Sequence, residues 1–122
     1  MKSLGTEWVV DVGGCSPAAL RDVGLLRRIF AEMVERLSLH VVGSPLFHQF
    51  GGEAGVTGIY LLSESHLCFH TFPELASLTL NLYSCRGALA PNFVELLGSS
   101  LGEVRVTVTE IARGAQHAEG SG

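Results

Sequence analysis

Apolar positions follow two rhythms along the chain. Glu7-Trp8-Val9-Val10-Asp11-Val12 is a short, β-branched run closed by Gly13-Gly14, the pattern of a strand ending in a turn. Ser16 then precedes Pro17, an N-cap followed by a residue whose missing N–H costs nothing in a first helical turn. Leu26, Ile29, Phe30, Met33 and Leu37 recur at spacings of three and four, with Arg27, Arg28, Glu32, Glu35 and Arg36 between them. That spacing predicts an amphipathic helix running from Ser16 that lies on one side of a sheet.

Most of the remaining chain reads as that sheet. Residues 39–42, 46–50, 56–62, 67–72 and 78–83 are strand-like runs, separated by Gly43-Ser44-Pro45, Gly51-Gly52 and Pro73-Glu74. Pro91 opens a second helix carrying Phe93, Val94, Leu96 and Leu97. In the last strand Val104, Val106 and Val108 alternate with Arg105, Thr107 and Thr109, so one face is buried. The predicted fold class is α+β: a two-layer sandwich, a mainly antiparallel sheet with two helices on one face. The other sheet face needs a cover, and packing in a homodimer, or a higher assembly, supplies one. Residues 1–113 read as a single domain and residues 114–122, small and polar, as a flexible tail.

Composition sharpens this picture. Of 122 residues 47% are hydrophobic and only 16% charged, below the roughly 25% of an average soluble domain, in keeping with a covered face. Lys+Arg 8 against Asp+Glu 12, with no basic run, argues against nucleic acid as a partner. No stretch is apolar enough to span a membrane, and the start of the chain has no apolar leader, so neither membrane nor export is expected. Cys15, Cys68 and Cys85 form no CxxC pair and leave one over, which fits a reducing compartment and a cytoplasmic location.

Candidate chemistry concentrates in Ser63-Glu64-Ser65-His66-Leu67-Cys68-Phe69-His70-Thr71-Phe72-Pro73-Glu74, a run of hydroxyls, two imidazoles, a thiol and two carboxylates. On an extended segment His66, Cys68 and His70 share one face while Ser65, Leu67 and Phe69 take the other. Ser65 and His70 of one chain therefore do not face each other. Either the backbone turns at Glu64-Ser65, or the partner of Ser65 comes from elsewhere, such as another protomer. Periodicity leaves three readings open: a zinc site through the two histidines and Cys68, a Ser/His or Cys/His nucleophile lacking the GxSxG elbow, and a polar strand without chemistry.

Glu64-Ser65-His66-Leu67 followed by His70-Thr71-Phe72-Pro73-Glu74 resembles the ESHLxxHTxPE signature of the prokaryotic S-adenosylmethionine decarboxylase proenzymes, pyruvoyl enzymes of polyamine synthesis. Asp11 with Gly14-Cys15, His48 with Phe50, Gly55-Val56-Thr57-Gly58 and Ser84-Cys85 resemble further family motifs in the same order. The likeness spans roughly residues 5–113, and the Gly51–Ala54 stretch is one residue longer than the family's usual spacing.

The resemblance implies a function. Decarboxylating an α-amino acid leaves an electron pair on the α-carbon, and a carbonyl cofactor joined to the amine as a Schiff base takes it up. The family makes that carbonyl by self-cleavage between Glu64 and Ser65, which converts Ser65 to a pyruvoyl group. The resemblance gives His70 the role of base in processing and Thr57, where serine is usual, the role of assisting hydroxyl. Cys85 becomes the acid that protonates the α-carbon, a thiol being largely protonated at neutral pH. Phe50 and Phe72 would stack on adenine and Glu74 would accept from the ribose hydroxyls; Cys15 and Cys68 are read as core thiols. The expected substrate is S-adenosylmethionine, on the route to spermidine. Arginine or ornithine decarboxylation on the same fold, and an unprocessed ligand-binding homologue, are the alternatives.

Overall fold

The computed structural model describes residues 4–86 and 90–114. Its elements run β1 (Gly5–Gly13), α1 (Pro17–Leu20), α2 (Val23–Arg36), β2 (Leu46–Gln49), β3 (Val56–Leu62), β4 (Ser65–Phe72), a 3-10 turn (Pro73–Leu75), β5 (Ser77–Ser84), α3 (Phe93–Leu101) and β6 (Arg105–Arg113). The strands form one sheet in the order β2-β3-β4-β5-β1-β6, antiparallel at every neighbour. The α+β architecture expected from the sequence is the one observed.

Alternation decides which side chains meet the helices. Trp8, Val10 and Val12 of β1, Leu67 and Phe69 of β4, and Leu78, Leu80 and Leu82 of β5 are buried in one core with Leu26, Phe30 and Met33 of α2 and Leu97 and Leu101 of α3. Phe30 stacks flat on Phe69, ring centroids 4.0 Å apart. That contact needs Gly58 on the neighbouring strand, where an added Cβ would fall 2.3 Å from the Phe69 ring. Truncating a ring so placed costs about 3–5 kcal/mol.

Among the described residues no helix packs on the opposite face. Ile59 and Leu61 of β3 are 48% and 59% exposed there, beside Thr57, His66, Cys68 and His70. An apolar sheet face left open in this way is a candidate interface.

Four local expectations differ from the structure. The β6 face expected to be buried is only half-covered at Val104 and Val106, and Val108 is 43% exposed. The helix from Ser16 is two helices, because Asp22 caps a new N-terminus by accepting from the Leu25 N–H at 3.0 Å. Residues 39–42 make only an isolated bridge, Val41 to Leu62, instead of a strand. There the Leu39 N–H is taken by the Val34 carbonyl as α2 ends, with Ser38 at φ 55°. β4 starts at Ser65 rather than at 67, so Ser65 opens the strand directly after the turn. Of the expected tail, residues 115–122 lie outside the described residues.

Candidate active site

The β3–β4 hairpin turns on two residues, Ser63 and Glu64, since Leu62 pairs with Ser65. Such tight turns favour residues at positive φ, typically Asn-Gly. Here neither turn residue has it, and the positive φ falls on Ser65, at 147°. A non-glycine residue in that region is strained and persists only where its surroundings impose it.

Those surroundings are specific. Ser65 also pairs with Ser84 of β5, and the next residue, Cys85, donates its backbone N–H to the Glu64 carbonyl oxygen at 2.8 Å. The Glu64 side chain is 5% exposed. Its Oε1 accepts from the His40 backbone N–H at 3.0 Å, and its Oε2 lies 2.7 Å from His40 Nδ1 and 3.2 Å from the Arg86 guanidinium. The hydrogen bond from the His40 ring, then that from the His40 N–H, with Arg86 adding less, holds the Glu64 carboxyl below the usual glutamate range against the opposing effect of burial. Neither His40 nor Arg86 was singled out in the sequence: periodicity carries no signal for a contact between residues 40 and 64.

A second group forms at the far end of the same two strands. His70 Nδ1 lies 2.8 Å from Thr57 Oγ1 across the β3–β4 pair. Both border an open cleft of about 360 Å³ that is also lined by Phe50, Phe72, Glu53 and Glu74. The Gly51–Ala54 stretch forms one wall, closed by the Phe50 N–H donating to the Gly55 carbonyl at 2.8 Å. Phe50 and Phe72, 53% and 39% exposed, leave open aromatic surface in the cleft.

The expected residues thus fall into two halves. Glu64, Ser65 and Cys85 sit at one end of the hairpin, and Thr57, His70, Phe50, Phe72 and Glu74 at the other. Five residues of extended β4 put Ser65 and His70 roughly 17 Å apart. The backbone turn at Glu64-Ser65 does not close that gap.

Between the halves the uncovered face carries a polar network. His66 Nε2 lies 2.8 Å from Asn81 Oδ1, the Cys68 thiol lies 3.8 Å from the same oxygen, and Asn81 donates to Glu7, which pairs with Arg113. His66 is therefore engaged with Asn81 and His70 with Thr57, and among the described residues no three His, Cys, Asp or Glu side chains gather as a metal-holding group. Cys15 is buried as expected, but Cys68 is only half-buried on the uncovered face, so it is not a core thiol. Burial, and secondly the Glu7 carboxylate, push the Cys68 thiol up from its ordinary pKa. Cys85 is exposed.

The family model described as S-adenosylmethionine decarboxylase matches residues 6–114. The chain belongs to this family. The S-adenosylmethionine decarboxylase proenzyme of Clostridium tetani is 30% identical over 115 residues, covering 93% of this chain and 90% of that protein. That of Pyrococcus abyssi is 31% identical over 117 residues, covering 95% and 83%. The crystal structure of the adenosylmethionine decarboxylase from Aquifex aeolicus superimposes with a TM-score of 0.78 at 26% identity, over 93% of each chain. Family membership therefore spans both ends of the hairpin and all six strands.

Proposed function

We propose that the chain is a self-processing, pyruvoyl-dependent decarboxylase of S-adenosylmethionine. Both its curated relatives and its structural neighbour are named for that substrate. The observation that carries the reading is the setting of Ser65: a hydroxyl-bearing residue at strained φ, following a carbonyl whose oxygen holds an N–H donor at 2.8 Å. These residues fit the source of a pyruvoyl group. Ser65 Oγ attacks the Glu64 carbonyl carbon, the C–N bond breaks as the C–O bond forms, and the hydroxyl proton ends on the freed amine. Removal of the Ser65 α-proton then expels the Glu64 carboxylate from Cβ, and water replaces the nitrogen, released as ammonia. Chains of residues 1–64 and 65–122 result. The ketone so formed supplies the electron sink for loss of carbon dioxide.

His70 suits the α-proton step, imidazole being able to move protons near neutrality, with Thr57 orienting its ring. Within one chain it is too far from Ser65. A two-fold pair of chains packed through the uncovered sheet faces brings the Ser65 end of one hairpin against the His70 end of the other, twice, since an isologous interface repeats every contact. Ile59 and Leu61 would then be covered. On this arrangement Phe50 and Phe72 of the cleft stack the adenine, Glu74 takes the ribose hydroxyls, and the exposed Cys85 of the other chain delivers the proton to the α-carbon.

Intact-mass analysis of purified protein tests this directly. Fragments 1–64 and 65–122 are expected, the second without a free amine at its start, and Ser65→Ala remains whole. Cleaved protein should release carbon dioxide from S-adenosylmethionine; turnover of arginine or ornithine alone would move the substrate assignment, and a wild-type chain that stays whole would overturn the enzyme reading.

A further inference from the structure

The clamp on the Glu64 side chain has no part in the chemistry outlined above, and it is built from groups unusual for a hairpin turn. A carboxylate with 5% of its side chain exposed is costly unless paired. Here two cationic or hydrogen-bonding residues from outside the hairpin are spent on it. Both tie the turn to the segment that follows α2: Arg86 also donates to the Ser38 carbonyl at 3.1 Å, and the Ser63 N–H donates to the His40 carbonyl at 2.8 Å. The turn is thus gripped on its main chain at Ser63, on the Glu64 side chain by His40 and Arg86, and on the Glu64 carbonyl by the Cys85 N–H.

The grip acts on the strain. A two-residue turn without glycine or asparagine has no intrinsic preference for this conformation, and its unfavourable φ lands on the residue after the turn, Ser65. Released, the turn would relax by rotating about the Glu64–Ser65 unit, and the carbonyl would leave the Cys85 N–H. Held, the carbonyl carbon keeps its donor in place while its oxygen gains charge, which is where a preorganised N–H contributes most.

Resting on the self-cleavage reading above, we infer that His40 and Arg86 are positioning residues for the first covalent step. Through the buried Glu64 carboxylate they hold the scissile unit strained, with its carbonyl on the Cys85 N–H, so that the Glu64 acyl group passes from the Ser65 nitrogen to Ser65 Oγ. In that transfer one C–O bond forms, one C–N bond breaks, and the hydroxyl proton goes to the amine. His70 acts later, on the ester.

The order of steps makes the inference testable. His40→Ala, Arg86→Ala and the milder Glu64→Gln are produced as full chains, and precursor is followed by intact mass with and without hydroxylamine, which cleaves esters but not amides. The expectation is cleavage slowed at least tenfold in each, with hydroxylamine giving little extra product because no ester builds up. His70→Ala, blocked after the ester, should instead be cut by hydroxylamine. Arg86→Lys, which keeps the cation, should recover part of the rate. Thermal unfolding of the same substitutions in a Ser65→Ala background separates positioning from loss of fold. Wild-type rates in the variants, rates that fall only as far as the folded fraction falls, or accumulation of hydroxylamine-sensitive precursor would each overturn the inference while leaving self-cleavage intact. An uncleaved wild type would remove both.

Discussion

Thr57 Oγ1 and His70 Nδ1 stand 2.8 Å apart on the uncovered face of the sheet, one on each strand of the β3–β4 pair. That contact fixes which ring nitrogen of His70 remains for other work. Thr57→Val keeps the β-branched shape and removes the partner, so self-cleavage should slow by about 10–100-fold with the fold unchanged, at or below the low end of the roughly 10²–10⁴-fold that a positioned acid or base contributes, because the imidazole itself stays. Thr57→Ser should cleave at least as fast as the parent. The rate of precursor loss on denaturing gels, set beside circular dichroism, is the check.

Separation of Ser65 from His70 along β4 predicts complementation between chains. Ser65→Ala and His70→Ala proteins should each remain whole. When the two are refolded together, the His70→Ala chain should be cleaved, up to the fraction of mixed dimers, because its Ser65 meets His70 of the partner subunit. Mass analysis distinguishes the two chains. Absence of cleavage in mixed dimers, or a monomer mass by light scattering at micromolar protein, would count against the shared site.

The exposed rings of Phe50 and Phe72 border the cleft beside His70. Phe72→Ala should raise KM for S-adenosylmethionine by about tenfold or more with kcat little changed, since stacking worth about 1–3 kcal/mol holds substrate and transition state alike. Steady-state carbon dioxide release gives both constants. A fall confined to kcat would place Phe72 in the chemistry instead.

The lowered pKa of Glu64 fixes the sign of a pH effect on stability. A carboxyl depressed in the folded state contributes stability above the unfolded glutamate value of about 4.3, and loses it as pH falls through the folded value. In a Ser65→Ala background, Glu64→Gln should cost about 1.5–3 kcal/mol above pH 5, the scale of a hydrogen bond to a charged group. The two urea-unfolding curves should converge as pH drops below 4. A gap that persists unchanged into acid would show that the charge contributes nothing.

Much of the fold was legible in the amino-acid order because it follows from local chemistry. A β-branched and aromatic run bounded by turn residues marked β3 at Val56–Leu62, and the three-four spacing marked the buried stripe Leu26, Ile29, Phe30 and Met33 of α2. Alternation separated His66, Cys68 and His70 from Leu67 and Phe69, and the Glu64–Glu74 signature named the family. Position 22 was a local signal passed over, an Asp cap strong enough to restart a helix. Other features depended on distance in space. Residues 39–42 are apolar enough for a strand, yet only Val41 finds a bridge, to Leu62, once the chain has turned out of α2. The grip of His40 and Arg86 on Glu64 joins segments with no periodic relation, and so does the cleft that collects Phe50, Thr57, His70 and Phe72. Sequence determines which side chains share a face because a strand repeats every two residues. Only the tertiary structure could decide that the strand begins at Ser65, which leaves Ser65 and His70 at its two ends, because that start is set by pairing of Ser65 with Leu62 and with the distant Ser84.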